Sequence, residues 1–210
     1  MLGRAQKKGL IEIGTVDMRQ FGAGPHAQVD DRPFGGGPGM VLMPEPVVSA
    51  VRSCRSESAT LIHLSPQGRP LTAEMCESLA KKRHLILLCG HYEGIDQRAL
   101  DVLEGEMPYE EISIGDYVVT SGAPAAIVVV DSVSRFVPGV IGNDEAVARD
   151  SFAEGVFDTP HYTRPRLFEG REVPEVLLGG NHSEIEAWRS ARAREKTERV
   201  RPDLCEGVGK

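Results

Sequence analysis

Five apolar residues in a row, Leu85 to Cys89, run straight into Gly90-His91-Tyr92-Glu93-Gly94. No polar residue alternates with them, so a strand here must be buried on both faces. Leu61-Ile62-His63-Leu64 reads as a second such strand. Ile112 to Val119 reads as extended but interrupted by Gly115-Asp116, and Ala126 to Val130 as a uniformly apolar, β-rich run. Helix-like stretches lie between them. Thr72 is placed to cap a helix with Met75 and Leu79 on one face, and Ile95 to Leu103 reads as a short helix. Doubly buried strands separated by helices define an α/β protein whose parallel sheet is covered on both sides.

The chain has 210 residues, room for one full domain and a smaller one. The apolar pattern fades between Gly139 and Gly155. We therefore expect an α/β domain over residues 1–142, a linker over 143–158 and a small helical domain over 159–210. In the last, Ser183 and Glu186 are spaced as a capping box, ahead of a helix with Ile185 and Trp188 inward. No apolar run reaches the length of a membrane span, and Met1-Leu2-Gly3-Arg4 lacks the apolar core of a signal peptide, so no membrane partner is expected. Cys54, Cys76, Cys89 and Cys205 lack metal-like or redox-like spacing and read as free thiols in a reducing cytoplasm. The net charge of −7 is unevenly spread. Asp101 to Asp116 holds six acids and no Lys or Arg; Trp188 to Arg201 holds six Arg or Lys and two Glu. A local basic face can bind phosphates on an acidic protein, although on charge alone a solvated helix face is the favoured reading of the run.

Ligands of open α/β sheets sit beyond the C-terminal ends of the strands. Three loops fall there: Ser65-Pro66-Gln67-Gly68, Gly90 to Gly94, and Ser113 to Ala126. All are rich in small residues, which lets backbone groups approach a ligand closely. There is no G-x-x-x-x-G-K-[ST] and no G-x-G-x-x-G opening a helix, so a P-loop is excluded and a dinucleotide fold disfavoured. A tight backbone cup without a phosphate motif suits adenine or a similar flat base. A fourth element, "VDDRPFGGGPGM" from Val29 to Met40, is too rich in Gly and Pro for a helix or a central strand. It reads as a surface loop or as a flat wall against a base.

Taken together, "VDDRPFGGGPGM", "LSPQG", "LCGHYEGID", "SIGDYV", "DSVSRFVPGV", "DSFAEG", "PHYTRP" and "VPEVLLGGNHSEI" resemble the bacterial tRNA (guanine-N1-)-methyltransferases, the TrmD type of the SPOUT class. The resemblance spans nearly the whole chain. It implies a sheet tied into a trefoil knot that cups S-adenosylmethionine, and methyl transfer to N1 of guanosine 37 of tRNA, next to the anticodon. The cofactor-contacting positions it implies are Ser65, Pro66, Gly90, Tyr92, Ile114, Gly115, Asp116, Tyr117, Val118, Val119 and Gly122. Arg135 matches the arginine suited to stabilising charge at O6. Asp150 matches the proposed general base, and Glu93 an electrostatic catalytic role. The family's Mg²⁺ dependence would make Glu93 and Asp150 candidate metal ligands. Pro38, Gly39, Ser151, Asp158, His161 and Arg164 fall at expected tRNA-contacting positions. The C-terminal arginines and Lys196 would grip the anticodon stem-loop. A homodimer is implied, in which the linker of one subunit completes the site of the other.

The chain also departs from that pattern. The family implies a further strand and helix ahead of the residues at Met1. "TSGAPAA" replaces Thr-Gly-Gly-Glu-Leu-Pro-Ala, and His91 stands where an arginine is usual. Two other readings stay open: a SPOUT methyltransferase acting on another RNA nucleotide, and an RNA-binding module without catalysis.

Overall fold

The computed structural model describes residues 1–142, 150–152 and 155–206. The chain divides into two compact units, Met1–Gly142 and Asn143–Lys210.

The first unit is built on three parallel strands, β3 (Ala59–Pro70), β4 (His84–Cys89) and β5 (Tyr109–Ser113), in the order β4-β3-β5. Parallel neighbours need crossovers. Helix α3 (Ala73–Ala80) joins β3 to β4, and α4 (Gln97–Glu104) joins β4 to β5. The central strand divides its side chains between two cores. Leu61 joins Val47, Val51, Leu88, Leu100 and Leu103 under α2 (Pro44–Cys54) and α4. Ile62 and Leu64 join Cys76, Leu79, Ile112, Val129 and Val133 under α3 and α5 (Gly122–Ser134). The expected parallel sheet, buried on both faces, is therefore present. The helix starts follow from local chemistry. Pro44 opens α2, where a missing N–H costs nothing. Thr72 Oγ1 accepts from Met75 N at 3.2 Å, and Asp96 accepts from Arg98 N at 3.0 Å. The remaining elements are α1 (Leu2–Lys7), a 3-10 turn at Met18–Phe21, and the antiparallel pair β1 (Asp30–Asp31) and β2 (Val41–Leu42).

One expected strand is wrong. Ala126 to Val130 lies inside α5. Its β-branched residues favour strand locally, but Gly122, Ala125, Val129 and Val133 recur at helical spacing and are buried. Packing of that stripe overrides a propensity difference of about 0.5 kcal/mol per residue. The extended stretch expected from Ile112 to Val119 stops as a strand at Ser113. The turn expected at Ser65–Gly68 is an excursion within β3. Leu64 and Arg69 both pair with Ile112, so four residues leave the ladder and the strand then resumes.

The second unit contains the hairpin β6 (Leu167–Phe168) and β7 (Arg171–Glu172), a 3-10 turn at Glu175–Leu177, α6 (His182–Val200) and α7 (Pro202–Glu206). The capping residue of α6 is Asn181, which accepts from Glu184 N, and not Ser183. Ile185 and Trp188 are half-buried, while Ala193 and Thr197 are the buried positions of α6. Thr197 Oγ1 donates to Ala193 O and accepts from Phe157 N, each at 2.8 Å. The described residues 150–152 and 155–158 of the expected linker belong to this unit. Residues 143–149 and 153–154 lie outside the described ones. The four cysteines form no disulfide.

Candidate functional site

The C-terminal ends of β3, β4 and β5 carry the three small-residue loops, and the backbone ties them to one another. Beyond β4, Gly90 O accepts from Gly122 N at 2.8 Å, and His91 bridges Ser121 in antiparallel fashion. This contact demands glycine. A Cβ on Gly122 would lie 2.6 Å from Cys89 Cα and 2.8 Å from Gly90 N. The departure "TSGAPAA" keeps that glycine, and its Pro124 sits in the first turn of α5, where proline is tolerated. On the other side, Glu93 N donates to Met40 O and Leu42 N to Gly94 O, each at 3.0 Å. The Glu93 side chain fills the space over Gly39, where a Cβ would come within 2.4 Å of its carboxylate. So the Gly-rich loop before β2 braces the loop after β4.

Within this frame the implied cofactor positions line the C-terminal edge of the sheet, the rim termed the cup below. Gly90 and Gly94 have free space where side chains would stand: a Cβ at Gly90 meets only Ile95 at 3.9 Å, and one at Gly94 meets nothing within 4 Å. Tyr92 holds a positive φ of 58°, and its ring is exposed and meets His91 edge-on at 4.2 Å. After β5, the Ser113 hydroxyl donates to Gly115 O at 3.0 Å and accepts from Gly115 N at 3.2 Å. Tyr117 OH donates to Ile114 O at 3.1 Å. Val118 and Val119 are exposed, Val118 at 84%, as is Asp116. Ser65 Oγ accepts from Gln67 N at 3.1 Å, shaping the excursion that also carries exposed Pro66. Beside Tyr92 lies a shallow depression of about 470 Å³, bordered by Arg19, His26, Gln28 and Asp30. Backbone walls, exposed apolar side chains and vacant glycine positions fit an adenosyl group held by main-chain contacts.

Arg135 is not brought to this cup in its own chain. It caps the C-terminal end of α5, whose N-terminal residue is Gly122. Thirteen residues at 1.5 Å each put it about 20 Å along the axis. Asp150 and Ser151 belong to the second unit and are half-buried; Ser151 Oγ accepts from Asp158 N at 2.9 Å. Asp158 contacts His161 Nε2 at 2.8 Å. Burial pushes its carboxyl upward, but that ring and the Thr159 N–H outweigh burial and hold it below the usual range. Arg164 is exposed. Among the described residues no three His, Cys, Asp or Glu side chains converge as a metal site.

Sequence reasoning missed three supports of the cup: Ser113, the Met40 carbonyl and the His91–Ser121 bridge. Ser113, a hydroxyl set two residues before Gly115 at the end of a strand, was the only one with a readable signal. It also missed a polar cluster inside the sheet. His63 Nδ1 lies 3.0 Å from Tyr109 OH and 3.6 Å from Glu111 Oε1. Burial pushes the His63 pKa down, against the charge of Glu111, so the longer contact is no ion pair near neutrality. Burial, with the charges of Glu111 and Glu104, pushes Tyr109 up to about 12, which keeps the phenol protonated.

Loops braced across the C-terminal edge of a parallel sheet define an α/β protein with the edge at which open sheets of this class take their ligands. The chain belongs to the tRNA (guanine-1)-methyltransferase family of the TrmD type, whose profile matches residues 1–207. A tRNA (guanine-N(1)-)-methyltransferase of Protochlamydia amoebophila is 57% identical over 204 residues, covering 97% of this chain and 90% of that protein. The protein of the same name from Chlamydia pneumoniae is 56% identical, covering 97% of this chain and 55% of the relative. That from Chlamydia trachomatis serovar D is 52% identical, covering 97% and 56%. The chain thus spans a little over half the length of the Chlamydia relatives it matches.

Proposed function

We propose that this chain transfers a methyl group from S-adenosylmethionine to N1 of guanosine 37 in tRNA, next to the anticodon. Family membership supports the methyl donor and the tRNA substrate. The observation that carries the site assignment is the glycine-lined cup at the ends of β3, β4 and β5, with the Gly122–Gly90 contact at its centre. The knot of the family is part of this reading, and the Gly90–Gly94 and Ile114–Gly122 loops are the segments it would entwine.

The bound donor supplies an electrophilic methyl on a sulfonium. The protein's own residues do the rest. N1 of guanine carries a proton, and its loss moves negative charge onto O6. Asp150 takes the proton, and the Arg135 guanidinium stabilises the O6 charge, so neither group need complete the task alone. The N1 lone pair then attacks the methyl carbon, and the C–S electron pair leaves with sulfur as a neutral thioether. Tyr92, Val118 and Val119 shield the reacting end from water, while Glu93, held against Gly39, offsets positive charge beside it. Pro38 and the Gly39 backbone, with Glu93 laid over it, border the base, and the second unit holds the anticodon stem-loop through Ser151, Asp158, His161 and Arg164.

Arg135 sits about 20 Å along α5 from Gly122, so a site uniting cup and arginine takes the arginine from a second chain. The outward side of α5, with Ile127 at 68% exposure and Val128 also exposed, offers an apolar surface for a homodimer. Cytoplasmic work on tRNA follows from the same reading. The test is transfer of labelled methyl to a tRNA with guanosine 37 preceded by guanosine 36. Label on ribose or on another nucleotide overturns the assignment. Mixed dimers then test the shared site. Gly90→Val, whose Cβ would meet only Ile95 at 3.9 Å, crowds the cup, and Arg135→Ala removes the cation, so each alone should be inactive. Mixing them should restore one site per heterodimer, and mixtures as inactive as their parents would refute sharing.

A further inference from the structure

The arginines of the second unit fall into two groups. On α6, Arg189 pairs with Glu186 at 2.7 Å and Arg192 with Glu195 at 2.6 Å; Arg201, after it, pairs with Asp203 at 2.7 Å. These cations are already partly neutralised at the surface. Arg164, Arg166 and Arg171, around the β6–β7 hairpin, are exposed, and among the described residues none makes an ion pair. Hairpin register sorts their neighbours. Phe168 pairs with Arg171 and Leu167 with Glu172. Side chains alternate between faces, and Arg166 lies two residues before Phe168. One face therefore presents Arg166, Phe168 and Arg171; Glu172 lies with Leu167 on the other. Phe168 is 62% exposed and stands on one face with two cations.

We infer that this hairpin face binds RNA directly, with Phe168 stacking on an unpaired base while Arg166 and Arg171 take the flanking phosphates. An exposed ring between two unpaired guanidinium groups has the chemistry of a single-stranded nucleic-acid platform: a π-face for a base and cations for the backbone on either side. A protein partner would fit less well, because nothing on that face offsets the two arginines. The inference rests on the reading that the chain takes tRNA, and it names a contact beyond the six substrate positions given above.

The test measures affinity of the whole chain for a guanosine-37 tRNA across a salt series, with S-adenosylmethionine affinity as control. Phe168→Ala should weaken tRNA binding about tenfold, the lower part of the range for loss of one stacked base. Phe168→Tyr should bind as wild type does. Arg166→Ala with Arg171→Ala should flatten the log–log salt dependence by roughly one to two in slope. Donor affinity should stay unchanged in all three. If wild type binds and methylates tRNA while Phe168→Ala and the double arginine variant bind it equally well, the hairpin assignment falls and the tRNA reading stands. If wild type binds the donor but no tRNA, the tRNA reading falls and takes the hairpin with it. If Phe168→Ala changes the oligomeric state, the face is a contact between chains and the assignment is overturned.

Discussion

The cup and the second unit are built in opposite ways. The cup is made of backbone. Gly122 touches Gly90 through main-chain atoms, Glu93 hangs from Met40, and the walls stand on two buried cores. The second unit buries little: within α6 only Ala193 and Thr197 are buried, and the exposed face of that helix is rich in charged side chains. A cup of backbone has one shape and is intolerant of added atoms. A surface of long side chains is adaptable and tolerant. Under the proposed function, that is the difference expected between holding a small cofactor of fixed structure and following a large, deformable RNA.

The contrast can be broken or sharpened by substitution, and the largest effect is expected at the chemistry. Asp150→Ala should lower turnover by about 10²–10⁴-fold, the range for a general base, with donor affinity unchanged by calorimetry. Loss of donor binding in that variant would place Asp150 among the cup's supports instead. Next comes a pair of glycines. Gly122→Ala sets a Cβ against the Cys89 and Gly90 backbone and should cost about 1–3 kcal/mol in urea unfolding, with weaker donor binding. Gly179→Ala, whose Cβ would meet Val176 O at 3.9 Å, should stay within about 0.5 kcal/mol. Equal effects would erase the distinction between the regions. Thr197→Val keeps the shape but strands the Phe157 N–H, and should cost about 1–3 kcal/mol. Hydrogen exchange should register that loss in the second unit alone.

The smallest effect expected is a pH dependence of the first unit. His63 is held neutral by burial, so its folded pKa lies below the unfolded value of about 6.5. As pH falls through about 6.5, the unfolded chain takes up this proton before the folded one does. Stability therefore drops between that value and the folded pKa. Urea midpoints of wild type should fall over this window more steeply than those of His63→Gln; parallel slopes would show that another group titrates.

Legibility in the sequence followed the same divide. Leu85–Cys89 declared a doubly covered strand because burial on both faces leaves an unbroken apolar run, and Leu61–Leu64 did so with His63 alone breaking the run. Thr72 declared its helix because capping is local chemistry. Ala126–Val130 misled for the converse reason: whether an apolar run coils or extends depended on the core waiting for Ala125, Val129 and Val133. Glycines marked the cup, yet their letters could not separate Gly122, which packs against backbone, from Gly94, which opens space. Nor could the run from Trp188 to Arg201 show that Arg189, Arg192 and Arg201 face acids while the hairpin arginines do not. The distance of Arg135 from the cup appeared only once α5 was known to be a helix.

The excursion in β3 has a consequence for how this edge of the molecule can diversify. Leu64 and Arg69 face the same partner, Ile112, so the ladder is indifferent to how much chain intervenes. Gly68 is bound to its place, since a Cβ there would meet Ile112 N at 2.4 Å. Lengthening or shortening the tongue between Leu64 and Gly68 would remodel the rim of the ligand chamber and leave the alternation of every flanking residue intact, so this is where new preferences can be drafted without redrawing the scaffold.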